Sequence, residues 1–216
     1  MEQVVVGSRS SVVGFRIAAL VGGAVLVAAA AQIAVPLPGT PVPMTLQPMA
    51  VLLVGGLLGA RFGALSMILY LAMGAAGLPV FTPTVPLFGI ARLLGPTGGY
   101  LLAYPIAAYA TGWFSDPARK RGVQEPWGSG PEVGRGSVNP GLAPGVREPW
   151  GRVALGVLVG LVLIHLGGLA QLAIITGSIA GAAQLATWPF LLRDLLKIAV
   201  LVPVLTQLTP TIRARL

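Results

Sequence analysis

The chain contains no cysteine, which excludes disulfides and thiolate metal sites. It has one histidine, His165, and only two lysines, Lys120 and Lys197. Neither lysine follows a glycine, so no GxxxxGK[ST] phosphate loop is possible and the chain cannot be an ATPase by that route. No HExxH pair, no paired carboxylates and no cysteine nucleophile occur, and neither a catalytic centre nor a metal site nor a cofactor is expected. Charge itself is scarce, at 9% of 216 residues. No charged residue lies between Arg16 and Arg61, Arg61 and Arg92, Arg92 and Asp116, or Arg152 and Arg193.

What fills these gaps is apolar. Hydrophobic residues make up 55% of the chain, and the mean hydropathy is +0.86. A helix needs about 20 apolar residues to cross the hydrocarbon core. Each gap can hold one crossing, and the first can hold two. The strict alternation of a transmembrane β-barrel is absent. The class is an all-α integral membrane protein, multi-pass in the bilayer. A net charge of +8 does not indicate nucleic acid, because the basic residues flank apolar segments and read as topology signals.

The apolar segments predict six transmembrane helices, at about 15–35, 46–60, 62–77, 97–114, 153–176 and 188–208. Arg9 and Arg16 ahead of an apolar stretch ending in AAAA (28–31) have the outline of a signal peptide. The stretch runs on to Val35, and a retained first helix is expected. With both termini cytoplasmic, all 14 basic residues except Arg92, Arg193 and Lys197 fall inside, as the positive-inside rule requires. The segment 115–152 is rich in glycine, proline and charge and repeats EPWG at 125–128 and 148–151. It predicts a flexible cytoplasmic linker within a single transmembrane domain.

The three remaining basic residues define the outer face. Arg92 precedes the fourth helix. Arg193 and Lys197 open the sixth, in WPFLLRDLLK (188–197), with Asp194 between them. Asp194 and Lys197 are three apart and share a helix face. Charge at membrane depth costs roughly 2.5–3.5 kcal/mol per residue on insertion scales. Either Asp194 and Lys197 form a self-neutralising pair while Arg193 snorkels to the headgroups, or the cluster with Arg92 is the polar end of a pocket for a small anion. Two proline-rich, charge-free stretches, PLPGTPVPMTLQP (36–48) and GLPVFTPTVPLFG (77–89), predict stiff outer loops over such a site.

PVPMTLQ (41–47), the ladder Gly55, Gly59, Gly63 leading to Tyr70, GLPVF (77–81), GPTGGY (95–100), and Pro189 and Phe190 ahead of Asp194 and Lys197 together resemble the BioY family. These are the biotin-uptake S components of energy-coupling factor transporters. The likeness runs in order over most of the chain, sparing the N-terminus and the linker. Leu192 and Arg193 depart from the proline and glycine usual before the family's aspartate, and the linker is longer than usual.

The resemblance implies a non-catalytic subunit of a prokaryotic cell (inner) membrane that binds biotin with high affinity at the outer side. It also implies a partner module of one transmembrane coupling protein and two ATPases. The alternative is the same architecture serving another vitamin. By resemblance the substrate-binding candidates are Asp194, Lys197 and Arg92, followed by Gln47, Tyr100 and Trp188. An arginine or lysine can hold the carboxylate and Asp194 can accept from the ureido N–H groups. Which cation meets which end of biotin stays open, and Gln47 and Tyr100 equally suit packing or capping. Tyr100 and Trp188 would offer apolar walls with a polar edge. His165, mid-helix with no acid near it in sequence, reads as a buried histidine bonded to a carbonyl or a water. The small residues Ala18, Gly22, Ala24 and Ala28 give the first helix a face for close helix approach, either to the coupling protein or within the bundle.

Overall fold

The computed structural model describes residues 9–116, 150–186 and 188–213. Arg119, Lys120, Arg121, Arg135, Arg147 and the first EPWG lie outside the described residues, as do the side chains of Trp188 and Arg193. The described chain forms seven helices and one two-stranded ribbon. They are α1 (Arg9–Gln32), β1 (Ala34–Val35), β2 (Met44–Thr45), α2 (Gln47–Ala75), α3 (Ile90–Leu94), α4 (Gly98–Phe114), α5 (Trp150–Thr176), α6 (Ile179–Ala186) and α7 (Trp188–Arg213).

Among the described residues three helices are long and apolar enough to cross a membrane, at Val13–Gln32, Gln47–Ala75 and Trp150–Thr176. The second is not one straight rod. Gly59 sits inside it at φ 85° and ψ 173°, a backbone region reached essentially only by glycine. Two contacts show that the chain reverses there. A Cβ on Gly63 would lie 2.8 Å from the Gly55 Cα, and Gln47 bonds Tyr70, 23 residues away, at 2.6 Å. In a straight helix 23 residues would span about 35 Å. The expected separate segments at 46–60 and 62–77 are thus the antiparallel arms 47–58 and 60–75 of one element. Both are short for a crossing and packed inside the bundle.

The sequence reading needs four further corrections. The first helix stops at Gln32, because Ala34 and Val35 pair antiparallel with Thr45 and Met44. The stretch 177–187, expected as a connection, contains α6. Trp150, Gly151 and Arg152, expected in the linker, belong to α5. In place of a continuous outer loop at 77–97, the short α3 carries Arg92.

Lipid tails are as apolar as leucine, so close packing rather than area removed from water holds such a bundle together. A Cβ on Gly55 would collide with the Ala108 backbone, and one on Gly99 with the Gly167 carbonyl. Glycine at these points lets α2, α4 and α5 touch backbone to backbone. On α1 the side that meets α2 includes Gly23, Ala24, Val27 and Ala31, all buried. Ser66 Oγ from α2 reaches the Leu20 carbonyl at 2.7 Å.

The bundle has two distinct ends. At one lie the Gly59 turn, the end of α4 and the end of α7. There Arg213 donates to the carbonyls of Gly56 (2.7 Å), Gly112 (3.1 Å) and Leu57 (3.4 Å) and pairs with Asp116 at 3.4 Å. At the other lie β1–β2, the start of α2, α3, the start of α4 and the start of α7.

Candidate functional site

At this second end a cavity opens between α2, α4, α5 and α7, beneath the loops 36–46 and 77–89. Of the sequence candidates, Gln47, Arg92, Tyr100, Asp194 and Lys197 all line it. The Trp188 side chain lies outside the described residues.

Arg92 is the largest fully buried side chain, at 1% exposure. Its Nη1 donates to the Val85 carbonyl at 2.7 Å and its Nη2 to the Thr82 carbonyl at 3.1 Å. Both acceptors immediately precede a proline (Pro83 and Pro86). The residue before proline is driven to extended backbone, and the imino acid that follows has no N–H to offer. The loop therefore turns both carbonyls toward the guanidinium, and the Val85 oxygen also accepts from the Leu87 N–H at 2.8 Å. Among the described residues no carboxylate pairs with Arg92, and its buried Nε has no hydrogen-bond partner. Burial lowers its pKa from the ordinary value, but a guanidinium does not lose its proton in proteins. A buried cation held only by neutral carbonyls is costly to maintain.

Asp194, 3% exposed, sits in the second turn of α7. Its Oδ1 lies 2.7 Å from Lys197 Nζ and its Oδ2 lies 3.1 Å from His165 Nε2 on α5. Neither approach is aligned as a straight hydrogen bond, because Asp194 Oδ1 and His165 Nε2 both lack an in-line partner. They are ion-pair contacts with hydrogen-bonding capacity to spare. Lys197 Nζ also donates to the Thr45 carbonyl of β2 at 3.1 Å. That bond ties α7 to the ribbon over the cavity, and Thr40 Oγ1 ties the same ribbon to the Leu185 carbonyl of α6 at 2.7 Å.

The walls are aromatic. Tyr100 and Tyr104 are four apart on α4 and face the cavity with Phe190. Gly168 on α5 leaves the space the Tyr100 ring fills, since a Cβ there would collide with the ring. Tyr104 stacks on Tyr70, centroids 6.4 Å apart, and Tyr70 meets Phe81 edge-on at 5.4 Å. Gln47 donates to the Tyr70 hydroxyl at 2.6 Å, which passes a bond to the Val80 carbonyl at 3.2 Å. Gln47 is thus both a lining residue and a strut for the 77–89 loop.

Sequence reasoning missed His165, Tyr104 and the Thr45 carbonyl. It gave His165 a carbonyl partner, and Nδ1 does lie 3.0 Å from the Leu161 oxygen; the acid on the other nitrogen went unseen. Its isolation was the available signal, because His165 is the only ionisable group between Arg152 and Arg193. The proposed face of α1 divides. Ala18 and Gly22 are exposed and Ala28 is half-buried, but Ala24 is fully buried among the bundle's own side chains. Ala24 is therefore an internal packing residue and no part of an external surface.

The arrangement can hold a small, elongated molecule with an anionic end, an apolar body and a polar end that donates hydrogen bonds. Among known proteins, the chain is 50% identical over 72 residues to a probable biotin transporter BioY of Pyrococcus horikoshii, covering 33% of this chain and 43% of that one. It is 45% identical over 93 residues to a probable biotin transporter BioY of Lysinibacillus sphaericus, covering 43% and 45%. The matched part spans less than half the length of these curated relatives. The fold is similar to that of a solved S-component for biotin from an ECF-type ABC transporter, with a TM-score of 0.71, 22% identity and 93% of each chain covered. The BioY family model matches residues 8–214, from the start of α1 to the end of α7. The helices and the residues lining the cavity thus all lie within the matched stretch, and the chain belongs to the BioY family.

Proposed function

We propose that the chain is a biotin-binding membrane subunit for biotin uptake. The observation that carries this reading is the buried Arg92, a cation with carbonyl partners only, in the same cavity as the Asp194–Lys197 pair. Biotin's carboxylate supplies the anion that the desolvated Arg92 guanidinium lacks. Its ureido ring donates two N–H groups, which the spare capacity of Asp194 accepts. Its apolar chain and bicycle lie along Tyr100, Tyr104 and Phe190. The relatives named as biotin transporters support the same ligand.

In this reading α1, the two arms of α2, α4, α5 and α7 make six crossings of a prokaryotic cell membrane, with both termini inside. Arg16, Arg61, Arg152 and Arg213 then gather at the cytoplasmic end, and the cavity faces outward to capture substrate. The chain is non-catalytic and lacks an ATP-binding loop. Inward movement is driven by a partner module of a transmembrane coupling protein and two ATPases, as the solved S-component's likeness suggests. The exposed small residues Ala18 and Gly22 of α1 are the docking candidates.

The test is isothermal titration of the detergent-purified chain with biotin, thiamine and riboflavin in turn. Saturable heat with biotin alone is expected. Tighter binding of another vitamin would transfer the site to that ligand.

A further inference from the structure

His165 has one nitrogen on a group that can only accept. Nδ1 lies 3.0 Å from the Leu161 carbonyl oxygen, so Nδ1 carries a proton. In a neutral imidazole the other nitrogen would then be bare. Yet Nε2 lies 3.1 Å from Asp194 Oδ2, an oxygen of a carboxylate. A bare Nε2 would set a partly negative nitrogen close to an anionic oxygen, in a site where Asp194 is 3% exposed. Two arrangements remove the conflict: a proton on Nε2, or a proton on Asp194. The second leaves Lys197 Nζ, 2.7 Å from Oδ1, beside a neutral acid and removes the anion that balances its charge. We infer that His165 is a positioning residue of the binding site, doubly protonated in the folded chain, and that its Nε2 proton keeps Asp194 ionised and fixed for ligand.

The consequence for binding is a linkage to pH. With Nε2 protonated, Asp194 stands between two cations as an acceptor-only group turned toward the cavity. When that proton is lost to solvent as pH rises, the bare Nε2 repels Oδ2 and the carboxylate must turn away. That turn misplaces an acceptor for ligand N–H groups. It also removes one positive charge from a cavity that receives an anion. Affinity therefore falls as pH rises through the imidazole's titration. The other ionisable groups around the pair are Lys197 on α7, Tyr100 and Tyr104 on α4, and Arg92 on α3. Tyr70 on α2 stands behind Tyr104. Of all these groups the imidazole is the one whose side-chain type ordinarily changes charge near neutrality. Arg193 neighbours Asp194 in sequence, with its side chain outside the described residues.

The affinity part of this inference rests on the biotin reading, and the charge state does not. A single histidine makes the charge state directly visible. In the ligand-free chain, labelled with 15N-histidine and purified through a histidine-free tag, the nitrogen shifts near neutral pH should be those of an imidazolium. A neutral ring with a bare nitrogen would overturn the assignment whether or not biotin binds. Biotin titrations from about pH 6 to about pH 9 should then show affinity falling roughly tenfold. The His165→Gln variant keeps an N–H donor near the Nε2 position but cannot titrate, and its profile should be flat. A flat profile for the unaltered chain, or a Gln variant that tracks it, would overturn the linkage. Failure of biotin to bind at any pH would remove the ligand assignment and leave the nitrogen spectrum to decide the rest.

Discussion

Lys197 and Thr45, 152 residues apart in sequence, are joined by a 3.1 Å hydrogen bond from the ammonium to the backbone carbonyl. The same ammonium lies 2.7 Å from Asp194 Oδ1. One side chain therefore holds the acid in the cavity floor and the ribbon above it.

Substituting Asp194→Asn removes the carboxylate that faces both Lys197 and His165 while keeping its shape. A hydrogen bond to a charged group contributes about 1.5–3 kcal/mol, so biotin affinity should fall by about tenfold or more. The folded state should survive at a lowered unfolding temperature, because helix packing is untouched while Lys197 and His165 lose their counter-ion. Equal affinity in a calorimetric titration of the folded variant would count heavily against the site.

Arg92→Met tests the buried cation separately from the acid. Relief of an unpaired buried charge offsets the loss of its hydrogen bonds to the Thr82 and Val85 carbonyls. Thermal unfolding in detergent should therefore shift little or upward. Loss of a charge-assisted bond to the carboxylate should weaken biotin by about 10- to 100-fold. A variant with a sharply lowered midpoint would instead assign Arg92 to holding the 77–89 loop alone.

Gly59→Ala addresses the reversal of α2. Its φ of 85° with ψ of 173° costs a residue bearing a Cβ about 1–3 kcal/mol, and the variant should unfold at a lower temperature. The strain arises at the end of the bundle opposite the cavity, so biotin affinity in the surviving folded fraction should change little.

Arg213→Ala removes donors from three carbonyls and a partner from Asp116. A loss of about 1–3 kcal/mol is expected from leaving buried acceptors unmet. Affinity measured at low temperature should again be unchanged. Lost binding would mean that the two ends of the bundle are coupled through α7.

The charged members of the site were legible because charge is conspicuous in apolar sequence: Arg92, Asp194 and Lys197 stand out in segments otherwise suited to lipid. The proline-rich loops were legible as ordered covers for a similar reason. His165 was not, because its acid lies 29 residues on and on another helix. No sequence period links α5 to α7. The Thr45, Thr82 and Val85 contributions are backbone carbonyls, whose roles no side-chain pattern records. The inward turn of Ala24 was hidden because small residues surround α1 on every side, and only the position of α2 decides which face is buried. The short α6 carries no charge, and its capping residue Ser178, whose Oγ accepts from the Gly181 N–H at 3.1 Å, is a residue equally common in turns.

Return to the Gly59 reversal. The arm from 47 to 58 has about a dozen residues and reaches about 18 Å, against a hydrocarbon layer of about 30 Å. On the six-crossing reading proposed above, Gln47 and the charged floor beside it would begin well below the depth at which a full crossing surfaces. A guest would then shed much of its hydration before meeting Arg92, Asp194 and Lys197, inside a recess that dissolved ions scarcely screen. Its hold on the chain should be nearly indifferent to the saltiness of the surroundings.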